Sequence, residues 1–226
     1  MRAAAILLCA GRGERLAQAD DKALVALAGR PLFTWSLEAL CRCAAIEAIV
    51  VVGAVARLKA DAAAAGLGDG RVVAWVAGGR ERQDSVANGL AALPPEYDIV
   101  AVHDCARALV TPEVIARVVG DAAMHGAAIA AVALEDTLKL GQLDVVERTI
   151  PRAGLYRAQT PQAFRRDWLE RAHAEAKGNA TDDAALVEAL GLRVRLSIGD
   201  PMNFKITRPR DLELAEACLA ARRTEV

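Results

Sequence analysis

Absent from this chain is any apolar run approaching the roughly 20 residues that a membrane-spanning helix needs. The opening comes nearest: eight apolar residues follow Arg2, but they break into a Gly/Arg loop where a secretory signal would carry a small-residue cleavage site. Absent too is a surplus of either charge. With 28 Lys+Arg against 29 Asp+Glu, no global field recommends a nucleic acid or a membrane surface as partner, so any anion-binding site must be local. The five cysteines, Cys9, Cys41, Cys43, Cys105 and Cys218, offer neither a disulfide framework nor tetrahedral zinc spacing. They read as reduced thiols, and Cys41 and Cys43, on an amphipathic stretch, as packing rather than metal ligands. No repeat, low-complexity tract or linker divides the chain. The expectation is one domain over residues 1–226, cytoplasmic, with no nucleic-acid or membrane partner.

What is present is a rhythm. Short apolar runs such as "AAAILL", "IEAIVVVG", "RVVAWVAGG", "YDIVAVHD" and "GAAIAAVALED" alternate with helical patterns over about 31–43, 55–65, 83–93 and 111–125. Strand and helix at this spacing predict an α/β fold, a mostly parallel sheet with helices on both faces. Ligands of such sheets bind beyond the carboxyl ends of the strands. The informative segments are therefore 10–15, 78–85, 103–107 and 135–139. Between about Glu135 and Phe164 the rhythm fails: two strand-like pieces flank a Gly-containing turn, with no convincing helix. This reads as a β-arm at about 136–158 leaving the sheet, and an arm that cannot bury both faces predicts a homodimer; the alternative is an edge hairpin of a monomer. Helical segments near 166–177 and 181–190, a strand "LRVRLSI", a loop "GDPMNFKITRPRDL" and a closing helix follow.

The post-strand segments carry the chemistry. "CAGRGERL" has Leu16 where a dinucleotide fingerprint wants its third glycine, and lacks the Gly-Lys-Ser/Thr of a P-loop. What remains is a glycine loop whose N–H groups can face an anion, with Arg15 and Lys22 adding fixed charge. In "AGGRERQDSVANGL", Asp84 or Ser85 suits the N-cap of the next helix, and either can also touch a ligand. "VAVHDCAR" ends a buried strand in His103, Asp104 and Arg107; Asp104 could hold a divalent cation or a hydroxyl, while His103 alone reads better as a packed residue. Lys205, between apolar neighbours in "NFKITRPRDL", points either into a cleft or out to solvent.

Taken together, "AGRGERL" with Lys22, "GGRERQDSV", "VHDCAR", "EDTLK", "RAQTPQAF", "TDDAALVEALG" and "NFKITRPRDL" resemble, in order and spacing, the 2-C-methyl-D-erythritol 4-phosphate cytidylyltransferases. The resemblance covers essentially the whole chain. It implies a Rossmann-like nucleotidyltransferase domain, a dimer through the β-arm, Mg²⁺, and transfer of CMP from CTP to methylerythritol phosphate with release of pyrophosphate. Carried over residue by residue, it implies that Ala10, Gly11, Gly13, Gly79 and Ser85 bind the nucleotide. Arg15 and Lys22 would stabilise charge on the α-phosphate, and Arg152 and Lys205 would position the acceptor. Asp104, Arg107, Thr137 and Thr160 would contact the acceptor, Asp104 doubling as metal ligand, with Thr137 and Arg152 arriving from the neighbouring subunit's arm.

The nucleophile in that reaction is a phosphate monoester, already largely dianionic, so a chain without a histidine dyad is no obstacle. Three departures from the family pattern stand out: Asp21 before Lys22 where a proline is usual, Cys105 and Ala108 in "HDCARA", and Cys9 beside the glycine loop. Two rival readings remain open here, a cytidylyltransferase for another polyol phosphate such as ribitol 5-phosphate, and a CTP-binding domain without turnover.

Overall fold

The computed structural model describes residues 1–11, 21–67 and 70–224. Strand β1 (Ala3–Leu8) is buried throughout, and its pleat divides it between two cores: Ala3, Ala5 and Leu7 join one, Ala4, Ile6 and Leu8 the other. That is why an unbroken apolar run makes a strand here, since both faces of the sheet are covered. A small hairpin, β2 (Ala26–Leu27) and β3 (Arg30–Pro31), precedes α1 (Leu32–Arg42). Then come β4 (Ala48–Val52), α2 (Val55–Ala64), β5 (Val72–Val76), α3 (Arg82–Ala92), β6 (Ile99–Asp104), α4 (Pro112–His125) and β7 (Ala127–Ala133). The expected strand–helix alternation is present, with boundaries shifted by a residue or two.

After β7 the chain makes a ribbon of β8 (Leu138–Gln142) and β9 (Val145–Ile150), then β10 (Tyr156–Arg165), α5 (Arg166–Glu175), α6 (Asp183–Ala189), β11 (Arg195–Ile198) and α7 (Pro209–Thr224). Among the described residues, seven strands form the main sheet in the order β11-β7-β10-β6-β1-β4-β5. Neighbours are parallel except where β10 runs antiparallel to both β6 and β7. Helices α1, α2, α4 and α7 cover one face, and α3, α5 and α6 the other.

Two sequence readings need correction. The irregular region is not all arm: the ribbon covers only 138–150, and Tyr156–Arg165 returns as a central strand. Nor does the ribbon turn on its glycine. Leu143 and Asp144 occupy the turn, with φ of 49° and 63°, while Gly141 lies at a register shift within the ladder. A two-residue hairpin of type I′ needs positive φ at both central positions, and here the chain meets that requirement without glycine.

Register positions the site. Leu8 lies opposite both Val52 and Asp104, and Val52 lies opposite Val76. Strands β1, β4, β5 and β6 therefore end level, and the loops that follow them open on one edge of the sheet.

Candidate active site

On that edge lies a cleft of about 480 Å³. Its walls bring together Ala10, Gly11 and Lys22 from the segment after β1, Gly79 and Ser85 from the β5–α3 turn, and Asp104 from the end of β6. Lys205 and Thr207 close it from the loop before α7. Seven of the residues singled out in the sequence thus share one cavity. Arg15 and Gly13 lie outside the described residues.

The β5–α3 turn is tightly laced. Gly79 N–H donates to Ser85 Oγ at 3.0 Å, and that hydroxyl donates to Glu81 O at 3.1 Å. Helix α3 begins at Arg82, so its N-cap is Glu81 rather than Asp84 or Ser85. Asp84 instead reaches back to accept the Glu81 N–H at 3.0 Å. Starting the helix there puts Arg82 into the cleft wall, a residue that sequence reasoning missed. The signal was present in "GGRERQDS": both of its arginines, Arg80 and Arg82, line the cleft, and Arg82 is the one that the helix start brings onto Asp104.

Asp104 is the electrostatic centre. Its carboxylate accepts from Lys205 Nζ at 2.6 Å and from Arg82 Nε at 3.2 Å. Burial alone would push its pKa up; the two cations, Arg82 first, hold it well below the ordinary carboxylate range. At neutral pH the cleft thus holds an anion pinning two cations. Lys205 is set in place by its neighbours: Asn203 and Ile206 are fully buried, Asn203 Nδ2 donates to Thr160 O at 2.8 Å, and Ile206 N–H donates to Ala106 O at 2.8 Å.

Lys22 lies in a short 3-10 turn, Lys22–Leu24, where Asp21 accepts the Ala23 N–H at 3.2 Å as N-cap. The departure at Asp21 therefore has a local structural use, and burial raises its pKa. Cys9 and Cys105 are both buried, directly beyond the paired ends of β1 and β6. Burial pushes the Cys9 thiol well up, which keeps it neutral.

Four other expected site residues are placed elsewhere. Arg107 does not line the cleft: it donates to Asn203 O at 2.8 Å and Ala158 O at 3.1 Å, stapling the Lys205 loop to β10. Thr160 is buried behind the floor, accepting the Asp104 N–H at 3.1 Å and meeting His103 Nδ1 at 3.0 Å. Thr137 and Arg152 are exposed at the two ends of the ribbon and do not line this chain's own cleft.

The Thr160 hydroxyl and His103 Nδ1 share a hydrogen bond that a neutral ring can make in either direction. Burial keeps the ring neutral, lowering its pKa from 6.5 to about 4. The unfolded chain then binds the extra proton between those values, so this contribution to stability is complete above about pH 6.5 and lost as pH falls toward 4. Unfolding free energy should drop by roughly 2 kcal/mol more between pH 7.5 and 5 in the parent than in a His103→Gln variant. Denaturant titrations of both proteins at the two pH values measure it; parallel pH profiles would contradict the assignment.

Comparison with known proteins decides the family. The sequence model of the 2-C-methyl-D-erythritol 4-phosphate cytidylyltransferases matches residues 3–221. The chain belongs to this family. It is 44% identical over 230 residues to the 2-C-methyl-D-erythritol 4-phosphate cytidylyltransferase of Pelotomaculum thermopropionicum, covering 98% of this chain and 95% of that protein. It is 48% identical over 223 residues to that of Frankia casuarinae, covering 97% and 82%. The crystal structure of 2-C-methyl-D-erythritol 4-phosphate cytidylyltransferase from Thermus thermophilus superposes with a TM-score of 0.79 at 34% identity, covering 96% of this chain and 98% of that one. The fold is thus the α/β nucleotidyltransferase fold of the cytidylyltransferase family, and the cleft lies where such a sheet binds its ligands.

Proposed function

We propose that this chain transfers the cytidylyl group of CTP to the phosphate of 2-C-methyl-D-erythritol 4-phosphate, giving 4-diphosphocytidyl-2-C-methyl-D-erythritol and pyrophosphate. Family membership gives the substrates. The observation that carries the mechanism is the cluster of Lys22, Arg82 and Lys205 around one cleft at the carboxyl ends of the strands. The acceptor phosphate attacks the α-phosphorus, forming a P–O bond as the bond to the β-phosphate oxygen breaks and pyrophosphate leaves. A dianionic nucleophile requires no base, so the protein's work is to orient two polyanions and balance the charge between them.

In this reading Ala10, Gly11, Gly13, Gly79 and Ser85 shape the nucleotide pocket, Arg15 and Lys22 meet the α-phosphate, and Lys205 meets the acceptor. Asp104, ionised and hard in donor character, is the kind of carboxylate a divalent cation such as Mg²⁺ takes alongside phosphates and water, and the ion would share it with Arg82 and Lys205, each of which holds one of its oxygens. When bound, the ion offsets phosphate charge. Two of the expected acceptor contacts, Thr137 and Arg152, lie on an arm whose tip is apolar and exposed: Leu143 is 90% accessible, Val145 67% and Val146 59%. A ribbon with no core of its own supports a homodimer in which each arm carries these residues to the other subunit's cleft. Among the described residues no helix is long and apolar enough to cross a membrane, and the cysteines are free thiols, so we place the enzyme in the cytoplasm.

The test is pyrophosphate release with Mg²⁺ and CTP, comparing methylerythritol phosphate, ribitol 5-phosphate and no acceptor, with ATP, GTP and UTP as nucleotide controls. Release requiring both CTP and methylerythritol phosphate is the expected result. Release with ribitol phosphate alone would overturn the acceptor, and silence with every acceptor would overturn turnover.

A further inference from the structure

Arg82 is held from two sides. Its Nε donates to Asp104 at 3.2 Å, within the cleft, and its Nη1 donates to Asp183 Oδ2 at 2.7 Å, behind it. Asp183 is 1% exposed, and its second oxygen lies 3.0 Å from His173 Nε2. A chain of ion pairs therefore runs from Lys205 through Asp104 and Arg82 to Asp183, and a hydrogen bond extends it to His173, linking the cleft to α5 and α6 on the far side.

A carboxylate taken out of water is costly unless its partners are fixed, and here they are. Gln162, on β10, donates to Asp182 Oδ2 at 2.8 Å and accepts the Ala184 N–H at 3.1 Å, gripping the residues on either side of Asp183. Gln162 is itself paired with Val102 of β6, two residues before Asp104. Both carboxylates that hold Arg82 are thus referenced to the same pair of strands, and their separation is set by the sheet.

The two bonds to Arg82 have different uses. The Asp104 bond competes with any phosphate entering the cleft, since it offers the same guanidinium an anion. The Asp183 bond lies behind and does not. Without it, Arg82 would keep only the partner that draws it onto the floor beside Lys205. We propose that Asp183 is a positioning residue: by holding Nη1 from behind, it aims the rest of the Arg82 guanidinium at the phosphates of the bound nucleotide, and Gln162 and His173 hold Asp183 in turn. A planar, five-donor guanidinium can serve a buried carboxylate and a phosphate at once, which a lysine at this position could not. This rests on the reading of the cleft as a nucleoside triphosphate site.

The experiment is a double-mutant cycle read by equilibrium CTP binding in the presence of Mg²⁺, with kcat and KM for CTP alongside. Asp183→Asn should weaken CTP about tenfold in the Arg82 enzyme, with the larger effect on KM, and less than twofold in an Arg82→Ala background. Equal losses in both backgrounds would make Asp183 merely structural and overturn the proposal. Should Asp183→Asn fail to fold by its thermal transition, Arg82→Lys is the deciding variant: it keeps the charge but cannot span both carboxylates. It should lose CTP affinity comparably, and parent-like binding would overturn the proposal. A folded parent that binds none of CTP, ATP, GTP or UTP fails at the level of the site, and the proposal falls with that reading; the mutants are not needed to tell the two apart.

Discussion

Lys205→Ala should lower turnover by about 10² or more, with little change in thermal stability. The side chain is 42% exposed and makes an ion pair with Asp104, so its loss removes little packing. What it removes is a charge whose position is set before substrate arrives. The loop carrying it is pinned by Asn203 and Ile206, by the Arg107 staple and by the Gln159 Nε2 bond to Asp200 O at 2.8 Å. The loss is also compounded. With Lys205 gone, Asp104 keeps Arg82 as its cation among the described residues, and a carboxylate relieved of such a partner turns toward the phosphates as a repulsive charge. Steady-state kinetics with both substrates varied should show the deficit in kcat, with Lys205→Arg recovering part of it. Turnover within a few-fold of the parent would remove Lys205 from the mechanism.

The same side chain shows where sequence reading stops. That Lys205 stands between apolar neighbours is visible; whether it faces a cleft depends on Asn203 bonding to Thr160 in a strand more than forty residues earlier. The parallel strands were legible because each is a continuous apolar run between helical patterns. Strand β10 was not, because it carries Pro161 at a bulge where the register shifts between Ala158 and Gln162. A proline within a run argues against a central strand, and the bulge is what accommodates it. Glycine and lysine motifs announced most of the cleft. Arg82 and Asp183 stayed hidden for a different reason: their pairing joins residues 101 apart, and nothing local marks either as facing the other. Thr160 and Arg107 carry a related lesson. Both sit in recognisable motifs, yet in this chain one supports the floor under Asp104 and the other staples a loop, so a motif residue can serve a site from behind its wall.

Gly79→Ala should cost about 1–3 kcal/mol of stability and most of the affinity for CTP. A Cβ at this position would lie 2.2 Å from Asp84 Cβ and 2.8 Å from the Asp84 carbonyl carbon. No rotamer relieves that, because the obstructing atoms belong to the first turn of α3. Either the loop lifts away, breaking the Gly79 N–H bond to Ser85, or the helix start shifts and takes Arg82 with it. Both routes spoil the same wall of the cleft. Gly120 is the internal control: it lies exposed in the middle of α4, with nothing within 4 Å of an added Cβ. Gly120→Ala should therefore raise stability by about 0.5–1 kcal/mol through helix propensity, with activity unchanged. Opposite shifts in thermal midpoint for one chemical change, with CTP binding lost in only one variant, would tie the first effect to the crowding at Asp84. Parent-like CTP binding by Gly79→Ala would mean that the turn yields without moving Arg82, and the steric account of this glycine would have to be given up.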